Sequence, residues 1–345
     1  MWVKRKKRRK RGRMAKDACV SGSMDFKLGG SEEDLSELSL EPLKPSVVPC
    51  SHQPYREKHD GDAKVNQAEK KVAFFENEFR WLQTKQAEET FRNMDGLLKE
   101  CCRKLCVSNK VDPRAHMAHI HPQTDKYTLI QRTGQDQLRV NIVLLAENVI
   151  QTDVTLKHPK CPGGVYRSMA QPDIQWKLQQ LQDAGNLCVR TLGLIMQGYT
   201  RIMELSKKSA WSEESGQYFI QICTQIANAI GSARSTLCVP RKRSLLEICH
   251  YPPTKCFNPP LPSDILFSYY ISSSKLVCAA YNIAQRPNGG GQNLSITQAD
   301  CHLPHIAEVL QKLDIAYKIN SVFVQNLKSI LKAKNSINME KSSTC

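Results

Sequence analysis

Residues 173–205 of this 345-residue chain read DIQWKLQQLQDAGNLCVRTLGLIMQGYTRIMEL. Alternating steps of four and three residues lead through Ile174, Leu178, Leu181, Gly185, Cys188, Leu192, Ile195, Tyr199 and Ile202. This heptad seam predicts a helix of about nine turns, about 50 Å long at a rise of ~1.5 Å per residue. A helix of that length needs long partners, so we interpret the seam as a packing surface that does no chemistry.

Glycines are unusual in such a helix, because each costs roughly 1 kcal/mol relative to alanine. Gly185, Gly193 and Gly198 lie within this one. A close approach of a neighbouring helix or a bend would each account for them.

A second long helix is predicted over residues 68–106. Its seam consists of Val72, Phe75, Phe79 and Leu82, and it resumes with Ala87, Phe91, Met94, Leu98, Cys101 and Leu105. The step from Leu82 to Ala87 is five residues, a slip that locally adjusts a supercoil.

Two more helices follow the same periodicity. Ser212, with Glu213 and Glu214 behind it, is predicted to cap a helix that ends before Pro240. The last helix is predicted over about residues 303–334, and its seam is Leu303, Ile306, Leu310, Leu313, Tyr317, Asn320, Val324, Leu327 and Leu331. Asn320 is the polar member, and a buried asparagine can fix register in a coiled coil.

Strand patterns fill the two long intervals between helices. Residues 126–132, 138–145 and 149–157 predict an antiparallel meander, and residues 263–271 and 275–283 predict a hairpin that turns at 272–274. If the helices alternate in direction, both intervals leave from the same end of the bundle.

These elements predict an α+β fold, an elongated antiparallel four-helix bundle with a small antiparallel β domain at one end. The bundle is assigned to residues 67–107, 172–238 and 302–335, and the β domain to residues 108–171 and 239–301. Residues 1–66 are predicted to be a disordered tail that carries a basic and an acidic segment.

The formal net charge of +16 is concentrated at the start of the chain. Nine basic residues lie in residues 1–13, which leaves 16 − 9 = 7 for the rest. The run of Lys4, Arg5, Lys6, Lys7, Arg8, Arg9, Lys10 and Arg11 is either a nuclear-import or phosphate-binding signal or a leader without consequence.

The cysteine pattern predicts a reducing compartment, and the hydropathy predicts that no segment spans a membrane. The fourteen cysteines are scattered, and several lie on helix seams, as expected of reduced, buried residues of a cytosolic protein. No run approaches the ~18 apolar residues that span a bilayer, so membrane association is expected to be peripheral.

Candidate chemical sites are weak. His116, His119 and His121 have a spacing that could hold a metal, but no cysteine or acidic pair lies near them. Cys101, Cys102 and Cys106, and likewise Cys249, His250 and Cys256, lack the close pairs of zinc sites. The glycines at 289–291 are not followed by the Lys-Ser or Lys-Thr of a phosphate loop. We therefore predict no catalytic residue, cofactor or metal, and no enzyme activity.

Four segments in this order resemble the Rogdi family, leucine-zipper-like proteins related to the small subunit of the fungal RAVE complex. They are EFRWL at 78–82, QWKLQQLQDA at 175–184, LPSDIL at 261–266 with the hairpin after it, and the heptad helix after Pro304. The resemblance covers about residues 70–335.

The resemblance implies a non-catalytic subunit of a RAVE or rabconnectin-3 assembly, which promotes association of the V1 and Vo sectors of the vacuolar proton-pumping ATPase. The implied partners are a large WD-repeat scaffold and V1. The implied location is the cytoplasm with peripheral recruitment to endolysosomal or vesicle membranes, and a nuclear pool stays open. The alternative is a nuclear coiled-coil protein that binds nucleic acid through its basic run, although a basic zipper needs that run to continue helically into the heptads.

Overall fold

The computed structural model describes residues 60–106, 124–131, 138–157, 162–240, 247, 256–285 and 292–343. The N-terminal tail up to residue 59, with its basic run, lies outside these ranges, as do the histidines at 116–121. One compact unit, His59–Cys345, contains all the elements described below.

Within the ranges just given, helical structure occupies four long stretches. Helix α1 (Asp60–Trp81) continues through a π-helical turn (Leu82–Gln86) into α2 (Ala87–Lys104). The others are α3 (Gln179–Lys208), α4 (Glu213–Cys238) and α5 (Pro304–Ser343). Helices α2 and α4 each pack against both α3 and α5. The predicted cap of α4 is confirmed, because the Ser212 and Ser215 side chains form a capping box.

The π-helical turn coincides with the five-residue step in the sequence. Leu82 and Ala87, on either side of the slip, are both buried. One extra residue in a helical turn rotates the following seam back toward the core, which is the usual origin of a π-bulge. The slip is therefore absorbed within a continuous helix.

Helix α3 begins later than predicted, at Gln179 rather than near residue 173. Trp176 and Lys177 form a short strand, and the backbone N–H of Leu178 donates to the Glu147 carbonyl at 2.7 Å. Pairing with the sheet uses the backbone hydrogen-bonding groups that would otherwise form the first turn of the helix. Ile174 and Leu178 thus precede the helix.

Among the described residues, nine strands form one antiparallel sheet. They are β1 (Thr124–Ile130), β2 (Leu138–Leu145), β3 (Asn148–Lys157), β4 (Val165–Ala170), β5 (Trp176–Lys177), β6 (Phe257–Asn258), β7 (Ile265–Ser272), β8 (Lys275–Gln285) and β9 (Gln292–His302). The order is β6-β4-β3-β2-β1-β9-β8-β7, with β5 paired to β3. The predicted hairpin is confirmed as β7 and β8.

The sheet curls so that strands far apart in its order meet. The hydroxyl groups of Tyr269 on β7 and Thr152 on β3 lie 2.7 Å apart. The ring centroids of Phe267 on β7 and Phe257 on β6 are 6.1 Å apart. The concave side of the sheet therefore holds its own aromatic core.

The predicted elongated four-helix bundle with a small β domain at one end is wrong. The sheet is large, and four of its strands, β4, β5, β6 and β9, were not expected. Strand β9 pairs with β8 along its whole length and with β1 through Ile130 and Asp300, which joins the two halves of the sheet. Its apolar residues Leu294 and Ile296 alternate with polar ones, yet both are exposed, so this alternation does not mark a buried face.

Phe91 lies where the helices converge. Its ring contacts Tyr199 of α3, Phe219 of α4 and Phe323 of α5, with centroid distances of 5.9, 6.2 and 6.3 Å. Phe91 is fully buried. Because its ring contacts an aromatic residue from each of α3, α4 and α5, Phe91 is the centre of the helical core.

Candidate functional site

The residues of the seam predicted over 174–202 are either buried or partly buried. Leu178, Leu181, Cys188, Leu192, Ile195 and Ile202 are buried, while Ile174 and Tyr199 are only partly so. The packing explains the glycine at position 198, because a Cβ there would lie 2.6 Å from Cε2 of Phe91. A Cβ on Gly193 would meet nothing within 4 Å.

The seam of α5 shows one notable departure. Leu303, Ile306, Leu313, Asn320, Leu327 and Leu331 are buried, and Leu310 and Val324 are half-buried. Tyr317 is 41% exposed. Asn320 Nδ2 donates to the carbonyl of Cys223 on α4 at 2.9 Å, which ties the two helices in one register.

The buried thiols of Cys102 on α2 and Cys188 on α3 meet, while the buried Cys101 on α2 contacts the Val309 carbonyl of α5. The thiols of Cys102 and Cys188 share a hydrogen bond, which raises the pKa of Cys188 and lowers that of Cys102. Burial raises the pKa of Cys101 to about 12. In the part of the chain that the structure describes, no three His, Cys, Asp or Glu side chains are grouped to hold a metal. Cys249 and His250 lie outside it.

The motif at residues 175–184 joins the helices to the sheet. Gln180 Nε2 donates to the carbonyls of Thr236 on α4 and Ile271 on β7, at 2.8 and 2.9 Å. Its Oε1 accepts from the Ile271 N–H at 2.8 Å. Strand β7 is the last strand in the sheet order. The Gln180 amide therefore forms hydrogen bonds with the β7 backbone like those that a neighbouring strand would form.

Trp176 of the same motif belongs to the aromatic core of the sheet. Its ring stacks on Phe257, with centroids 5.6 Å apart, and lies 5.6 Å from the ring of Tyr269. Burial raises the pKa of Tyr269 well above its ordinary value. Its hydroxyl group therefore stays protonated and serves as a structural hydrogen-bonding group.

A cavity of about 520 Å³ lies at this junction, between the start of α3, the end of α4 and β7. Its charged side chains are Lys177 and Asp183, and Tyr269 and Tyr270 form part of its wall. Lys177 Nζ lies 3.9 Å from a carboxylate oxygen of Glu147. The lining offers polar and aromatic contacts to a bound group. These lining residues do not form a recognisable pair of nucleophile and base.

A second group of polar contacts joins the N-terminal end of α4 to the π-helical turn. Gln83 is fully buried, and its Nε2 donates to the Ser212 carbonyl at 3.2 Å. Its Oε1 accepts a short hydrogen bond from the Ser215 hydroxyl. The turn thus places a glutamine side chain against the cap of α4.

None of the described helices is both long and apolar enough to cross a membrane. The charged groups on the helices form ion pairs between elements, including Glu100 with Lys312 at 2.8 Å and Arg234 with Asp314 at 2.6 Å. A hydrogen bond from Lys312 lowers the pKa of Glu100. These pairs fasten α2 and α4 to α5.

Comparison with known proteins agrees with the four sequence segments. A family model described as Rogdi leucine zipper containing protein matches residues 78–336. The chain is 40% identical to Protein rogdi homolog of Caenorhabditis elegans over 259 residues, which cover 74% of this chain and 88% of that protein. It is 27% identical to Protein rogdi homolog of Homo sapiens over 217 residues, 63% of this chain and 70% of that protein. The resemblance is confirmed, and the chain belongs to the Rogdi family.

Proposed function

We propose that this protein is a non-catalytic interaction subunit of a RAVE or rabconnectin-3-like complex. In this role it binds a large WD-repeat scaffold and helps V1 join Vo in the vacuolar proton-pumping ATPase, so that organelles acidify. The observation that carries the proposal is the family match, which runs through both the helices and the sheet.

The arrangement of the described residues is compatible with a binding role. Its buried Gln83 and half-buried Gln180 are used to join helices and strands. Any effect on the pump then passes through binding, by favouring the assembled state over the separated one. Recruitment to endolysosomal or vesicle membranes follows from the partners, so the protein itself is expected in the cytoplasm.

Affinity purification of the tagged full chain tests this role. We expect a large WD-repeat scaffold to co-purify in near-equal amounts, together with V1 subunits under conditions that promote pump assembly. Recovery of nucleic acid and nuclear proteins in place of the scaffold would support the alternative, a nuclear protein acting through Lys4–Arg11 and the rest of its basic run. A deletion of residues 1–13 serves as the control, because it should leave scaffold binding unchanged.

A further inference from the structure

The outer surface where α4 meets α5 differs in charge from the rest of the helical surface. The α4 sequence has no Asp, Glu, Lys or Arg between Glu214 and Arg234, and α5 has no acidic residue between Asp314 and Glu340. Over the same length α5 presents exposed lysines at 318, 328 and 332. Two exposed cations on α2 are neutralised within their own helix, in the pairs Arg92–Glu88 and Lys99–Asp95.

Helical spacing shows which residues border this junction. The ion pair between Arg234 and Asp314, 2.6 Å long, marks where the outer sides of the two helices touch. Steps of three and four residues lead from Asp314 to Tyr317, Val324 and Lys328, and from Arg234 to Gly231 and Ile220. We call the surface formed by Ile220, Gly231, Tyr317, Lys318, Val324 and Lys328 the α4/α5 face.

The α4/α5 face combines apolar contact area with unpaired positive charge. Ile220 and Val324 are half-buried against the core, and Tyr317 is 41% exposed although it occupies a seam position. A Cβ on Gly231 would meet nothing within 4 Å, so another backbone can approach closely there. Among the described residues, no carboxylate pairs with Lys318 or Lys328.

We propose that the α4/α5 face binds an amphipathic helix of another protein, with apolar residues at its centre and acidic residues along its edges. Complementary charge selects the acidic partner, and the apolar strip between the lysines supplies the buried contact. A groove between two helices fits a third helix, which adds its own seam to those of α4 and α5.

A lipid surface is the less favourable occupant. Sequences that recognise anionic headgroups carry clusters of about four to eight basic residues. The α4/α5 face offers Lys318 and Lys328, with Lys332 one turn further, spread over about 21 Å of helix at ~1.5 Å per residue. The partner helix is expected in the scaffold, and to that extent the inference rests on the proposed function.

Zero-length cross-linking tests the contact directly. A carbodiimide joins a lysine only to a carboxylate in contact with it. In the purified complex of the full chain and its scaffold, we expect Lys318 and Lys328 to be joined to Asp or Glu of a helical segment of the scaffold. Cross-links confined to lysines on other surfaces would overturn the assignment.

Charge reversal provides the matched comparison. The double variant Lys318→Glu with Lys328→Glu should lower scaffold capture by about tenfold or more, since like charges across an interface repel. The control variant Arg103→Glu with Arg190→Glu reverses two exposed cations on α2 and α3 and should leave capture unchanged. Far-ultraviolet circular dichroism confirms that each variant is folded.

The outcomes separate this inference from the proposed function. Failure of the wild-type chain to capture the scaffold would contradict the proposed function. Equal capture by the wild type and the Lys318→Glu, Lys328→Glu variant would overturn the α4/α5 face alone. Binding of the wild type to phosphatidylserine vesicles, lost in that variant while scaffold capture persists, would identify a lipid surface as the occupant.

Discussion

A single glycine allows the central aromatic residue of the helical core to fit. Phe91 is held between the rings of Tyr199, Phe219 and Phe323, so it has little room to turn aside. Gly198 faces this ring, and any side chain there competes for the same space. The sequence shows a glycine on a seam, but only the packing shows which glycine is required.

Gly198→Ala should lower the free energy of unfolding by about 1–3 kcal/mol, because the added methyl group overpacks a rigid core. Gly193→Ala is the control on the same helix. It adds a methyl group in open space and should raise stability by up to about 1 kcal/mol through helix propensity. Urea denaturation of both variants gives the comparison, and equal effects would show that the Phe91 contact is unimportant.

Gln180 is the residue that joins three elements through one side chain. Gln180→Ala leaves both backbone groups of Ile271 without their partner, so we expect a loss of about 1–3 kcal/mol of stability. Gln182→Ala removes only an exposed contact with Gln179 and should change stability by less than about 0.5 kcal/mol. If the two variants melt at the same temperature, the Gln180 bonds are replaced by water at no cost.

At the scale of elements, the helices and the strands β1, β2, β3, β7 and β8 were largely predictable, but the size of the sheet was not. Heptad spacing is a local signal, and it located α2, α3, α4 and α5 and the slip at the π-helical turn. Strands β5 and β6 are two residues long and exist because they pair with β3 and β4, respectively. No local pattern encodes such short pairs, so these two strands could not be predicted from the sequence.

The π-helical turn gives an element-scale prediction. Deleting Lys85 shortens the step from Leu82 to Ala87 to four residues, so a regular α-helix can carry both seams in phase. We expect this variant to fold, with a melting temperature within about 4 °C of the wild type, the upper end of the shift that ~1 kcal/mol gives in a domain of about 150–250 residues.

Deletion of Arg92 is the control, because it removes an exposed residue from the regular helix α2 and turns the seams on either side out of phase. That variant should be largely unfolded by circular dichroism. Similar stability of the two deletions would mean that the π-helical turn does not compensate for the slip.

At the scale of the whole molecule, the helices and the sheet are fastened together by the Gln180 bonds and by Trp176. We therefore expect them to unfold together. In a variant whose only tryptophan is Trp176, with Trp2, Trp81 and Trp211 changed to phenylalanine, fluorescence reports the junction and circular dichroism at 222 nm reports the helices. Coincident denaturation midpoints are expected, whereas separate midpoints would show two independent folding units.

The sequence alone does not locate the proposed α4/α5 face. Tyr317 belongs to a heptad seam by spacing, and periodicity alone predicts that it is buried. Tyr317 is nevertheless exposed in the folded protein, and the acid-free stretches of α4 and α5 are far apart in the sequence. The spatial coincidence of these features is a property of tertiary structure.

The central claim, that this protein promotes pump assembly through binding, is tested most directly by the amount of V1 on membranes. Cells lacking the protein are returned to conditions that demand pump reassembly, and V1 is measured in membrane and cytosolic fractions. We predict that V1 stays in the cytosol at unchanged total abundance, that organelle pH rises, and that the wild-type chain restores both. Normal V1 recruitment and normal organelle pH in those cells would contradict the account.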